Sequence, residues 1–148
     1  MKKAFFLLTL VIMSALFLAG CRGAPLPINF DEFEAAARDA GFAVTVDANI
    51  IHAVISENSF VKFEQLGSID AARSRFNSQE VAYRAEYSSF SSSTSVSMPS
   101  HASWRFRAGG RYHVIYWIGT GFLQAESPNT GADRRVINDF LDIVIRRY

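Results

Sequence analysis

The feature that most limits what this chain can fold into is its beginning. Met1-Lys2-Lys3 is followed from Ala4 to Ala19 by "AFFLLTLVIMSALFLA", a run without a single charge. A positive start and a short apolar stretch form the pattern of a secretory signal peptide. As a helix the run would rise about 24 Å, short of the roughly 30 Å of a bilayer's hydrocarbon core, so an uncleaved membrane span is the second choice. Whatever folds must therefore lie after it. Cys21, the only cysteine, stands at its end, so the folded part has neither a disulfide nor thiolate chemistry to draw on.

Leu18-Ala19-Gly20-Cys21 resembles the lipobox of bacterial lipoproteins: a leucine, two small residues and a cysteine. The resemblance implies cleavage between Gly20 and Cys21 and a diacylglyceryl group on the Cys21 thiol. It covers only the first 21 residues, but all its parts stand in the right order. Each buried methylene contributes about 0.8 kcal/mol, so one acyl chain binds marginally and two hold stably. The expectation is a protein at the extracytoplasmic face of a cell membrane or outer membrane, with the membrane as partner through lipidated Cys21. Arg22 follows the cysteine where an aspartate would favour inner-membrane retention.

Residues 1–20 thus read as signal peptide, 21–28 as a short tether and 29–148 as a single domain. Extended chain reaches at most about 3.6 Å per residue, which keeps that domain within roughly 25 Å of the lipid. The formal net charge is +1 for the whole chain, and two of its positive charges are Lys2 and Lys3. A nearly neutral domain carries no electrostatic footprint for nucleic acid.

"NFDEFEAAARDAGF" reads as a helix capped by Asn29 and stopped by Gly41, with Phe30, Phe33, Ala37 and Ala40 as its apolar stripe. Asp31, Glu32 and Glu34 cluster at its start, where the helix dipole favours acids. "FAVTVDA", "IIHAVISE" and "SFVKFEQL" read as three strands. Ser68 opens a second helix with Ile69, Ala72, Phe76 and Tyr83 near one face. Ser88 to Ser100 contains eight serines. So little apolar area cannot offset the entropy of ordering, and the stretch reads as loop.

"ASWRFRAGGRYHVIYWIGTGFLQAE" reads as three antiparallel strands with glycine turns, and "DRRVINDFLDIVIRRY" as a closing helix with Val136, Ile137, Phe140, Leu141, Val144 and Ile145 on one stripe. The order α-βββ-α-βββ-α predicts an α+β fold, an antiparallel sheet with helices packed on one face. The Phe33–Phe42 spacing of the opening helix, the Ala72–Phe76 pair, the serine-rich stretch and the closing Arg111-Tyr112 strand resemble a group of small bacterial lipoproteins. That likeness supports fold and location and brings no catalytic residues with it.

No chemistry-bearing constellation emerges. His52, His101 and His113 each lack a second ligand at metal spacing and read as strand-surface residues, so no metal and no cofactor is expected. The serines lack a nucleophile elbow, and neither glycine-rich turn precedes a helix or a lysine as a phosphate loop would. The leading expectation is a non-enzymatic binding or accessory module; the alternatives are a small-ligand carrier at the membrane face and an envelope hydrolase. The candidate binding patch is the hairpin "WRFRAGGRYHVIYW". A three-residue loop, Ala108-Gly109-Gly110, would put Trp104, Phe106, Tyr112, Val114 and Tyr116 on one face. Arg105, Arg107, Arg111 and His113 would share the other, ready for anionic headgroups or an acidic envelope protein.

Overall fold

The computed structural model describes residues 28–146. The signal segment, Cys21 with its lipobox and most of the tether lie outside the described residues. Helix α1 (Phe30–Asp39) comes first, then strands β1 (Ala43–Asp47), β2 (Ile50–Ser56) and β3 (Ser59–Gln65), then helix α2 (Ile69–Glu86). Strands β4 (Ser92–Met98), β5 (His101–Ala108), β6 (Arg111–Ile118) and β7 (Gly121–Pro128) follow, and helix α3 (Gly131–Arg146) closes the chain.

The helices begin where side-chain oxygens can accept their free N–H groups. Asn29 Oδ1 accepts from Glu32 N at 2.8 Å, and Ser68 Oγ from Ala71 N at 3.1 Å. At the start of α3, Thr130 Oγ1 accepts from Asp133 N at 3.1 Å and donates to the Asp133 carboxylate at 2.5 Å.

All seven strands form one antiparallel sheet in the order β1-β2-β3-β7-β6-β5-β4. The first three strands and the last four are two meanders, joined where β3 pairs with β7. The α+β class expected from the sequence is present, but two of its details are corrected. The serine-rich stretch is not loop: Ser92–Met98 pairs along its whole length with β5, from Ser92–Arg107 to Met98–His101. The observed order is therefore α-βββ-α-ββββ-α.

The helices also do not share one face. Phe33 and Ala37 of α1 and Ile137, Phe140, Leu141 and Val144 of α3 pack with Ile51, Phe63, Val114 and Leu123 on one side of the sheet. Ala72, Phe76 and Tyr83 of α2 pack with Trp104, Phe106, Ile115, Trp117 and Phe122 on the other. The reason lies in β6, where every residue from Tyr112 to Ile118 is buried. A strand apolar on both sides must be covered on both sides.

Coverage is nevertheless incomplete. Helix α2 crosses β6 and β7 on its side, and α3 lies over β7 on the other. Strand β4 sits beyond both layers, with Val96 at 41% and Met98 at 54% exposure.

Candidate functional site: a groove beside an edge strand

The hairpin between β5 and β6 does not adopt the three-residue loop expected from the sequence. Arg107 pairs with Tyr112 and Ala108 with Arg111, leaving a two-residue turn of Gly109 and Gly110. Both glycines have left-handed backbones, φ 56° and 74°, as a tight hairpin matched to strand twist requires. One residue of register reverses every side chain of one strand relative to its partner. Trp104, Phe106, Arg111 and His113 consequently point to the α2 side, while Arg105, Arg107, Tyr112, Val114 and Tyr116 point to the α1–α3 side.

The expected basic patch is thereby split. Separating aromatic from charged residues mattered only if one face of the hairpin met water, and here β6 is buried on both faces while Arg105 and Arg107 of β5 are half-buried. His113 is not a surface histidine either: it is fully buried. Its ring stacks on Phe106 at 4.7 Å between centroids and tilts against Tyr83 and Tyr87 at 5.0 and 5.2 Å. Its Nδ1 stands 3.5 Å from Glu126 Oε2, long for a hydrogen bond. The Glu126 carboxylate also forms an ion pair with Arg111 Nε, and Arg111 Nη2 donates to Asn58 O at 2.9 Å.

These neighbours give Glu126 a carboxyl held below its ordinary value, first through His113 and then through Arg111, against the opposing effect of burial. Next to it, burial and the Glu126 charge push the Tyr83 hydroxyl upward, while Gln124 Nε2 donates to that hydroxyl at 2.9 Å. The cluster joins an acid, an imidazole and a phenol, the residue types of acid–base chemistry. The cluster ties α2 to β6 and β7 through Tyr83, His113, Gln124 and Glu126. Among the described residues no group of three or more His, Cys, Asp or Glu side chains could hold a metal ion.

A concavity lies elsewhere. A groove of about 680 Å³ runs between α2 and β4. Arg73, Asn77 and Glu80 form the helix wall, and Ser95, Ser97 and Met98 the strand wall. Its floor is aromatic and made from the α2-side core: Phe76, Trp104 and Trp117. The guanidinium of Arg73 lies over the Trp117 ring at 5.2 Å and that of Arg84 over Trp104 at 4.7 Å. Arg84 Nη2 meets Glu80 at 2.6 Å, so the groove's carboxylate is already engaged. The indole of Trp104 donates across the sheet edge to Ser93 Oγ.

Beside this groove, β4 ends the sheet with a single neighbour among the described residues, β5. Its outer edge thus presents backbone donors and acceptors with no strand to meet them. Sequence reasoning passed over this site because serines carry no apolar periodicity. The available signal was the regular spacing of Ser93, Ser95 and Ser97 at every second residue, the period of a strand.

No family model matches this chain, and no curated protein matches it. Among solved structures, a GTP binding regulator from Thermotoga maritima is similar over 83% of this chain and 93% of its own, with a TM-score of 0.55 and 9% sequence identity. At that identity the likeness concerns the fold.

Proposed function

We propose that this protein is a non-enzymatic binding module, held at the extracytoplasmic face of a membrane by a lipidated Cys21, and that it takes an extended segment of an envelope protein along β4. The observation that carries the binding reading is the unpaired edge of β4 running beside a groove of about 680 Å³. A peptide that adds as a further strand gains main-chain hydrogen bonds from such an edge, and neighbouring pockets choose its side chains. Val96 and Met98, both exposed, supply apolar contact area on the strand itself.

The anchor rests on the sequence of Leu18-Ala19-Gly20-Cys21 after its apolar run. A lipid-held module on a short tether meets its partners close to the membrane. The carrier reading is weaker: it needs an enclosed apolar cavity, whereas serine, asparagine, arginine and glutamate form the walls here. The nucleotide named for the structural neighbour does not carry over. Gly109-Gly110 and Gly119-Thr120 are hairpin turns between paired strands, with no helix starting after them.

Two measurements test this on the full chain in the membranes of the cell that makes it. Mass spectrometry of the extracted protein should find an acylated cysteine at the N-terminus; a chain beginning at Met1 would overturn the anchor. A photoreactive side chain at Ser95 or Ser97 should give a discrete protein adduct that the same group at Asp39 does not. Equal patterns at all three positions would overturn the docking edge.

A further inference from the structure

On the side of the sheet away from the groove, a second concavity joins the β5–β6 hairpin to the start of α3. It holds about 290 Å³ and is lined by Arg107, Tyr112, Gly131, Arg134, Arg135 and Asn138. Three arginines line one small cleft, and no acidic residue is among its lining residues. Among the described residues, the arginines paired with carboxylates are Arg38, Arg73, Arg75, Arg84 and Arg111, and these three are not among them. We propose that this cleft is an anion site whose ligand is a phosphate group, free or carried by a lipid headgroup.

The polar groups around the cleft are arranged as donors. Arg134 Nε is held by Thr130 O at 3.2 Å, which fixes the root of its guanidinium and leaves the terminal nitrogens for a ligand. Tyr112 donates its hydroxyl proton to Asn138 Oδ1 at 2.8 Å. With that oxygen occupied, the amide nitrogen of Asn138 remains as a donor. Arg107 approaches from β5, across the sheet from its partner Tyr112, so the cations come from two separate elements. Gly131 brings the first turn of α3 to the same place, and its dipole favours negative charge there. The nearest first-turn acid, Asp133, is turned to the Thr130 hydroxyl.

Like charges gathered without a counter-charge repel one another. Guanidinium is the cation best matched to phosphate, through pairs of parallel N–H bonds in a planar fork. A phosphate bearing up to two negative charges balances most of three guanidiniums, and the small cleft suits a headgroup-sized ligand. This site is separate from the groove beside β4 and does not depend on it.

The test is calorimetric titration of the full chain in neutral detergent micelles with two probes. One is inorganic phosphate and the other a short-chain, water-soluble phosphatidylglycerol. Saturable binding of at least one probe is expected. It should weaken about ten-fold in Arg107→Gln and in Arg135→Gln, and more in the double variant. Arg38→Gln, on α1, should bind as wild type does. Arg107→Lys should recover only part of the loss, because an ammonium cannot make the paired contact. Tighter binding of the phosphatidylglycerol names a headgroup as the source, and tighter binding of phosphate names a free anion. No saturable binding of either probe, or binding unchanged in the double variant while its circular dichroism matches wild type, overturns the proposal.

Discussion

The indole Nε1 of Trp104 donates to Ser93 Oγ at 2.7 Å, joining the edge strand β4 to the core beneath α2. Trp104 is buried, and a buried donor deprived of its partner costs about 1–3 kcal/mol. Ser93 itself is exposed, so water can replace the hydroxyl, and Ser93→Ala should fall near ~1 kcal/mol. Thr94→Ala, on the opposite face of the same strand, should stay within about 0.5 kcal/mol. Urea unfolding midpoints for the two variants check this. Equal losses would mean that the indole contact does not hold β4 in place.

That bond also shows where sequence reasoning reached its limit. The helices were legible because each carries its own signals: an acceptor side chain at Asn29 or Ser68, then apolar residues at helical spacing. Strand β4 carries no such signal, since it is exposed on both faces and ordered by pairing with β5. The placement of α2 opposite α1 and α3 follows from the apolar run of β6, which reads equally as a strand under one layer or between two. The candidate patch failed for the same reason. Its register was chosen to bury one face of the hairpin, and with β6 buried on both faces the glycine pair decided instead. Of the four patch residues, Arg107 lines the cleft at the start of α3, and the other arginines there, Arg134 and Arg135, come from a separate element.

The closing helix provides a graded test of the core. Leu141 is fully buried between α1 and the sheet, whereas Val136, on the same expected stripe, is 42% exposed. Leu141→Ala should cost about 2–5 kcal/mol. Val136→Ala should stay within about 0.5 kcal/mol. Denaturant titration distinguishes these readily. Similar losses at the two positions would contradict the packing of α3.

A steric prediction concerns Gly121, where β7 begins. A Cβ there would stand 2.8 Å from Cε2 of Phe63 and 3.4 Å from Ile118 O. Phe63 is itself fully buried and stacks on Phe33 at 5.0 Å, so it has little room to yield. Gly121→Ala should destabilise by about 1–3 kcal/mol, as overpacking does. At Gly67 a Cβ would meet nothing within 4 Å, and Gly67→Ala should be neutral or stabilising by up to about 1 kcal/mol through the unfolded chain. Thermal melts of both variants decide it; a loss at Gly67 matching that at Gly121 would refute the account.

The last prediction is a pH dependence. The Glu126 carboxyl sits below its ordinary value of 4.5 because His113 and Arg111 favour its charged form more than burial opposes it. In the unfolded chain those neighbours are gone. Between the lowered native value and 4.5 the unfolded state therefore holds more protons than the native one, and stability rises with pH across that window. The contribution is complete above the unfolded value and is lost as pH falls through the native one. Glu126→Gln removes it. The stability difference between wild type and Glu126→Gln should thus be largest above pH 4.5 and shrink as the pH falls below it, through the lowered native value. The same substitution leaves the fully buried His113 and the partly buried Arg111 without their shared carboxylate, so the variant should be the less stable protein at neutral pH. Urea titrations at half-unit steps of pH measure the difference directly. A gap that stays constant from neutral pH into the acid range would show that the Glu126 charge does not contribute to holding α2 against β6 and β7.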